Sequence, residues 1–255
     1  MTAWIQRWTP PAPDGAATAR VLCLPYAAGG AGAYRTWAGA MPAGTELHAV
    51  ELPGHGRRLA EPPAAGLDEI IGAHTPSPPA AGPPTVLFGH SMGVPLAYEL
   101  CRALDRAGAP PAALVLSAMS PAHLLDRPAH HALTQDPAAL LDHVRALGAI
   151  PPELLQQPAM RELVLRTVRA DLALLAAFPA PAADPLPPRV PVLALSGRSA
   201  TLYPPHTAAA WEPYAERWEG MRVLPGDHFF PWRDDTVPRL AASLTHTATA
   251  RRSAA

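Results

Sequence analysis

Apolar residues along this chain fall into short unbroken runs rather than alternating with polar ones. The clearest are 20–24 (RVLCL), 85–88 (TVLF), 113–117 (ALVLS) and 192–195 (VLAL), bounded by Gly, Pro or Ser. Weaker runs of the same kind are 46–52 (ELHAVEL) and 221–224 (MRVL). Runs without alternation suit parallel strands covered on both faces. Between them lie stretches of helical pattern at 94–104, 153–178 and 236–244. This alternation predicts an α/β fold, a doubly wound, mostly parallel sheet with helices on both faces.

Residues 121–178 interrupt the alternation. Leu154, Leu155, Met160, Leu163, Val164, Val168, Leu172 and Leu175 recur at spacings of three and four, with Arg161, Arg166 and Arg169 between them. The stretch reads as a helical insertion, a lid over one end of the sheet, within a single domain spanning residues 1–255. Of the 34 prolines, 11 crowd into 75–84 and 179–191, each segment just ahead of a strand run, so they punctuate loops rather than mark disorder.

Composition narrows the choice of function. Twenty basic side chains, all Arg, face 21 acidic ones, and no basic cluster offers a footprint for nucleic acid. An apolar fraction of 49% with 16% charged residues is that of a folded globule. No run approaches the roughly 18 uncharged apolar residues of a membrane span. The first residues lack the basic-then-apolar order of a secretion signal, and Cys23 and Cys101 are too few for a disulfide framework. The chain therefore reads as cytoplasmic. Asp234 and Asp235 have no histidine cluster at ligand spacing, so neither a metal nor a cofactor is expected.

The strongest chemical signal is Gly89-His90-Ser91-Met92-Gly93, directly after the run 85–88 and directly before the helix at 94–104. A Gly-x-Ser-x-Gly segment in that context is a strand turning sharply into a helix with the serine at its apex. The serine then sits at a helix N-terminus, where free N–H groups favour a developing oxyanion. Pro95 falls within the first helical turn, where its missing N–H costs nothing. Of the 11 histidines, His228 in Pro225-Gly226-Asp227-His228-Phe229-Phe230 is best placed as base, because it follows a late strand. His90 occupies the variable position of the elbow and reads as structural. The oxyanion donors expected are the N–H of Met92 and one from the loop 24–32 (LPYAAGGAG) after the first strong strand run.

Together these segments resemble the type II thioesterases of polyketide synthase and nonribosomal peptide synthetase pathways, which have the α/β-hydrolase fold. The resemblance runs from about Arg20 to Leu244. It includes Pro25-Tyr26-Ala27 through Tyr34-Arg35-Thr36-Trp37, and Glu51-Leu52-Pro53-Gly54-His55-Gly56-Arg57-Arg58-Leu59 with Glu61-Pro62-Pro63. It continues through the elbow, Leu147-Gly148, Arg169-Ala170-Asp171 and Gly226-Asp227-His228-Phe229-Phe230. It implies a monomer that hydrolyses acyl groups from the phosphopantetheine thiol of acyl or peptidyl carrier proteins. Ser91 would be nucleophile, His228 base, and the N–H groups of Ala27 and Met92 the oxyanion hole. The insertion would form the acyl chamber.

One element of the family pattern is missing. The triad acid is expected after the run 192–195, as Gly-Asp-x-Asp, but the chain reads Gly197-Arg198-Ser199-Ala200. The alternative site after 113–117, Ala118-Met119-Ser120-Pro121, also lacks a carboxylate. Asp227, Asp171 and Asp126 remain as substitutes, and Ser199 or a main-chain carbonyl as another means of orienting His228. Three readings follow: a thioesterase with a dyad or relocated acid, an impaired homologue that binds carrier proteins or acyl chains, and a serine hydrolase or acyltransferase acting on a different ester or amide. Retention of both Ser91 and His228 favours chemistry.

Overall fold

The structure is a computed structural model and describes residues 4–10, 17–75, 82–148, 150–178 and 190–233. Among these residues seven strands form one sheet: β1 (Ile5–Arg7), β2 (Ala19–Leu24), β3 (Thr45–Val50), β4 (Thr85–His90), β5 (Ala113–Ser117), β6 (Val192–Gly197) and β7 (Trp218–Leu224). Their order across the sheet is β1-β3-β2-β4-β5-β6-β7. Only β1 runs antiparallel, pairing Ile5 with Val50, and every other neighbour pair is parallel.

All six sequence-predicted strands are present, and the lack of alternation has the expected cause. Leu22, Leu24 and Leu87 pack on one face of the sheet, while Val21, Cys23, Val86 and Phe88 pack on the other. The first face is covered by α1 (Leu67–His74) and α2 (Gly93–Arg106), the latter burying Leu96, Leu100 and Cys101. The second face takes Tyr34 and Trp37 from the 3-10 segment Ala31–Ala40. β1 was not predicted, because three residues at a sheet edge are too few to show any period.

Between β5 and β6 stand α3 (Arg127–Gln135), α4 (Pro137–Leu147), α5 (Pro152–Gln156) and α6 (Pro158–Ala177), with no strand among the described residues there. The single helix expected over 153–178 is two. Pro158 has no N–H to continue α5 and instead starts α6 in its first turn. Asp126 and Asp136 cap α3 and α4 by accepting first-turn N–H bonds, and Gly148 closes α4 in the left-handed region, φ 67°. The helix expected at 236–244 lies outside the described residues, as do 76–81 and 179–189 of the two proline-rich segments. Among the described residues, no helix is long and apolar enough to cross a membrane.

The chain reverses its direction across the sheet at β2. The connection from β2 leads outward to β3, and the chain then returns to β4 on the other side of β2. In open α/β sheets the crevice beyond the strand ends at such a switch point is where ligands bind. The loops after β2 and β4 meet there at very close range. A Cβ on Gly93 would strike the Leu24 carbonyl and lie 2.9 Å from that of Pro25, and one on Gly89 would strike the Gly93 carbonyl. Replacing Gly93 by Ala is therefore expected to destabilise the fold by about 3 kcal/mol or more, through overpacking of rigid backbone. Thermal unfolding by circular dichroism checks this, and an unchanged midpoint would refute it.

Candidate active site

Ser91 sits between β4 and α2 with φ 51°, a left-handed conformation uncommon for a residue with a side chain. Its N–H donates to the Ser117 carbonyl at 2.8 Å, and its own carbonyl accepts from Val94 N–H at 2.8 Å. Those two bonds hold the turn. Among the described residues no side chain caps the N-terminus of α2 at Met92, so that end of the helix is left to the crevice. Ala28 (φ 61°) after β2 and Ala118 (φ 59°) after β5 are left-handed too. Three such residues at the ends of three neighbouring strands represent strain of about 1–2 kcal/mol each, a pattern typical of functional sites.

The loop after β2 is held by buried carboxylates. Glu51, 2% exposed, accepts from Ala31 N–H at 2.9 Å and Arg57 N–H at 3.3 Å, with Gln6 as a further donor. Asp171 of α6 accepts from Ala28 N–H at 2.6 Å. Tyr34 closes the base by donating its hydroxyl to the Leu24 carbonyl at 2.9 Å.

His228 follows β7 and is 8% exposed. Its ring lies among those of His90, Phe229 and Tyr203, with centroid distances of 5.2, 5.0 and 6.0 Å. Ser91, Met92, Ala27 and His228 all line one cleft of about 450 Å³, open to solvent. The insertion supplies His130, His143, Leu147, Leu172 and Leu175 to its walls, and Tyr26, Leu202, Tyr203 and Phe229 complete it. The four residues expected from sequence thus come together. His90 is fully buried, with its Nδ1 against Ser117 Oγ at 3.0 Å and its ring against Trp232.

The acid's place holds no carboxylate. Nδ1 of His228 is buried with no hydrogen-bond partner among the described residues. Each proposed substitute is engaged elsewhere. Asp227 Oδ1 accepts from Phe229 N–H at 2.9 Å, Asp126 caps α3, and Asp171 is held by Ala28 and by His55 Nε2 at 3.0 Å. Ser199 is exposed and does not serve either. The loop after β6 nevertheless runs against the histidine loop: Ser199 N–H donates to the Gly226 carbonyl at 2.8 Å, and a Cβ on Gly197 would strike that of Asp227. Of the two positions where the resemblance leads a carboxylate to be expected, Arg198 faces solvent and Ala200 is buried, 5% exposed. The His55–Asp171 pair was not expected, although both residues belong to motifs visible in the sequence. Nothing in their spacing, 116 positions apart, joins them.

Burial pushes the His228 imidazole down to about 4, against a smaller upward pull from Asp227. The ring is therefore neutral at physiological pH, the form able to accept a proton. Burial also holds His90 well below its ordinary value, with repulsion from His228 adding to it.

A mostly parallel sheet that turns through a strained serine into α2 defines an α/β-hydrolase. The Thioesterase domain family matches residues 19–247, and the chain belongs to that family of thioester-cleaving enzymes. It is 32% identical over 230 residues to the AMB antimetabolite synthetase AmbE of Pseudomonas aeruginosa, a match covering 88% of this chain but 10% of that much longer protein. Among solved structures, the thioesterase RedJ of the prodiginine pathway in Streptomyces coelicolor is 32% identical, with a TM-score of 0.76 and 93% of each chain covered. The type II thioesterase BorB of the borrelidin cluster is 28% identical, with a TM-score of 0.77 over 94% of this chain and 97% of that one. The likeness is thus to the type II thioesterases of polyketide and nonribosomal peptide pathways, in sequence and in fold.

If His228 must be neutral to work, kcat/KM rises as pH climbs through about 4 and is level by about pH 6. An acid limb centred near 6.5, measured on a short acyl thioester, would contradict the buried neutral ring.

Proposed function

We propose that this type II thioesterase removes acyl groups from the phosphopantetheine arm of carrier proteins, and that Ser91 and His228 carry the reaction. Ser91 Oγ attacks the thioester carbonyl carbon while His228 takes its proton. The N–H groups of Ala27 and Met92 stabilise the oxyanion, the thiol leaves with the proton, and water later releases the acyl group from Ser91. The helices between β5 and β6 act as the lid, with their leucines forming the acyl chamber. The observation carrying this reading is the meeting of Ser91, Met92, Ala27 and His228 on one cleft at the switch point of the sheet.

Nδ1 of His228, unpartnered among the described residues, favours slow turnover within that reading. A triad acid holds the base in its working tautomer and stabilises the imidazolium, and its loss costs about ten-thousandfold in serine proteases. A thioester is an activated substrate, so a dyad with an intact oxyanion hole suffices for editing at a low rate. A carrier-binding homologue with little turnover is the second reading, favoured by the same unpartnered nitrogen.

The experiment is hydrolysis of short acyl groups from a phosphopantetheinylated carrier protein. Wild type is expected to turn over, and Ser91→Ala and His228→Ala to fall to the rate without enzyme. Wild type no faster than Ser91→Ala would overturn the hydrolytic reading and leave the binding one. Ala200→Asp supplies a carboxylate from the buried position beside the histidine loop. It is expected to raise kcat by about tenfold or more and to move the acid limb upward, since a carboxylate favours the imidazolium.

A further inference from the structure

Asp171 lies in the middle of α6, yet both of its contacts are far along the chain. It is 3% exposed, and its Oδ2 accepts from Ala28 N–H at 2.6 Å and meets His55 Nε2 at 3.0 Å. His55, also 3% exposed, places its Nδ1 3.0 Å from the Pro53 carbonyl. A carbonyl and a carboxylate both only accept. A neutral imidazole has one N–H and satisfies one of them, so only an imidazolium makes both bonds.

We propose that Asp171 and a charged His55 are positioning residues: together they lock the loop at Ala27 and Ala28 in its oxyanion-binding shape and tie it to the helical insertion. The inference rests on the oxyanion role given above to Ala27. With its N–H held by Asp171, Ala28 stays in the left-handed region, and the peptide unit just before it is fixed relative to Ser91. Ala28 N–H is thereby withheld from the oxyanion, leaving that of Ala27 as the donor from this loop. The same helix grips the His55 loop twice more, through Thr167 Oγ1 to the Gly54 carbonyl at 3.4 Å and Arg166 to the Leu59 carbonyl at 3.2 Å. Movement of α6 is thus coupled to the oxyanion loop.

The groups facing His55 support its charge. Asp171 from α6 and Glu51 from the end of β3 both favour the imidazolium, as does the Pro53 carbonyl, and together they outweigh the largest single influence, burial, which lowers it. The net shift is upward. Of the nearby cations, Arg58 is engaged on Glu61 and on the Glu51 carbonyl, Arg166 on the Leu59 carbonyl, and Arg57 is exposed. The lock is complete below the raised His55 value and loses one of its two imidazole bonds as pH rises through it.

The test uses the full chain with Asp171→Asn and Asp171→Ala, their folding checked by circular dichroism. Asn still accepts from Ala28 but no longer favours the imidazolium. By NMR, His55 is expected to titrate above 6.5 in wild type and at or below 6.5 in Asp171→Asn. Exchange of the Ala28 amide with solvent should quicken about tenfold or more in Asp171→Ala and stay slow in Asp171→Asn. On an acyl carrier protein, kcat should fall about tenfold or more in Asp171→Ala with KM changed by less than about threefold, and Asp171→Asn, which keeps the Ala28 bond but not the charged His55, should recover only part of the loss. Equal His55 titration in wild type and Asp171→Asn, unchanged Ala28 exchange in a folded Asp171→Ala, or a rise in KM with kcat retained would overturn the inference. Absence of Ser91-dependent hydrolysis in wild type would overturn the catalytic reading instead, and the His55 and Ala28 measurements would still decide this one.

Discussion

The site depends on backbone packed directly on backbone where β2 and β4 end. Gly89 and Gly93 leave no room for a side chain against each other or against the Leu24 carbonyl. That approach brings the start of α2 against the loop after β2, and so sets Met92 N–H and Ala27 at one crevice. It also forces Ser91 into a left-handed conformation that two backbone bonds sustain. The geometry of the site follows from that contact: a serine at the start of α2, with small-residue loops on both sides. The strain is tolerated because buried carboxylates on Glu51 and Asp171 fasten the neighbouring loops from below and from the insertion.

Against that frame the histidine is under-supported. His228 is buried, neutral and flanked by aromatic rings, with its Nδ1 unpartnered among the described residues. Burial lowers its affinity for a proton, so the ring stays neutral at physiological pH. Its aromatic setting is made by the rings of His90, Phe229 and Tyr203. It supplies no charge to stabilise the imidazolium.

The strands, the elbow and the order of serine before histidine were legible because each is local. Val21 to Leu24 and Val86 to Phe88 announce a strand buried on both faces, and Gly-x-Ser-x-Gly between a strand and a helix announces its own turn. The gap at Arg198 and Ala200 was legible too, but which of the two faces inward was not, since that depends on how the loop after β6 lies on Gly226 and Asp227. The Asp171–His55–Ala28 contact was hidden for a similar reason. Its members come from a helix and two loops that only the tertiary fold brings together, and no period or spacing encodes such a meeting. The break of the long insertion helix at Pro158 was readable in principle. There the leucine period masked the proline.

The most direct test of the account is the protonation of His228 itself, followed by nitrogen NMR of the ring in wild type. A buried histidine without an acid partner is expected to titrate near 4 and to be neutral at pH 7. A ring that titrates at or above 6.5, with its Nδ1–H shifted downfield by a strong hydrogen bond to a carboxylate, would contradict the account and show that an acid reaches His228 after all.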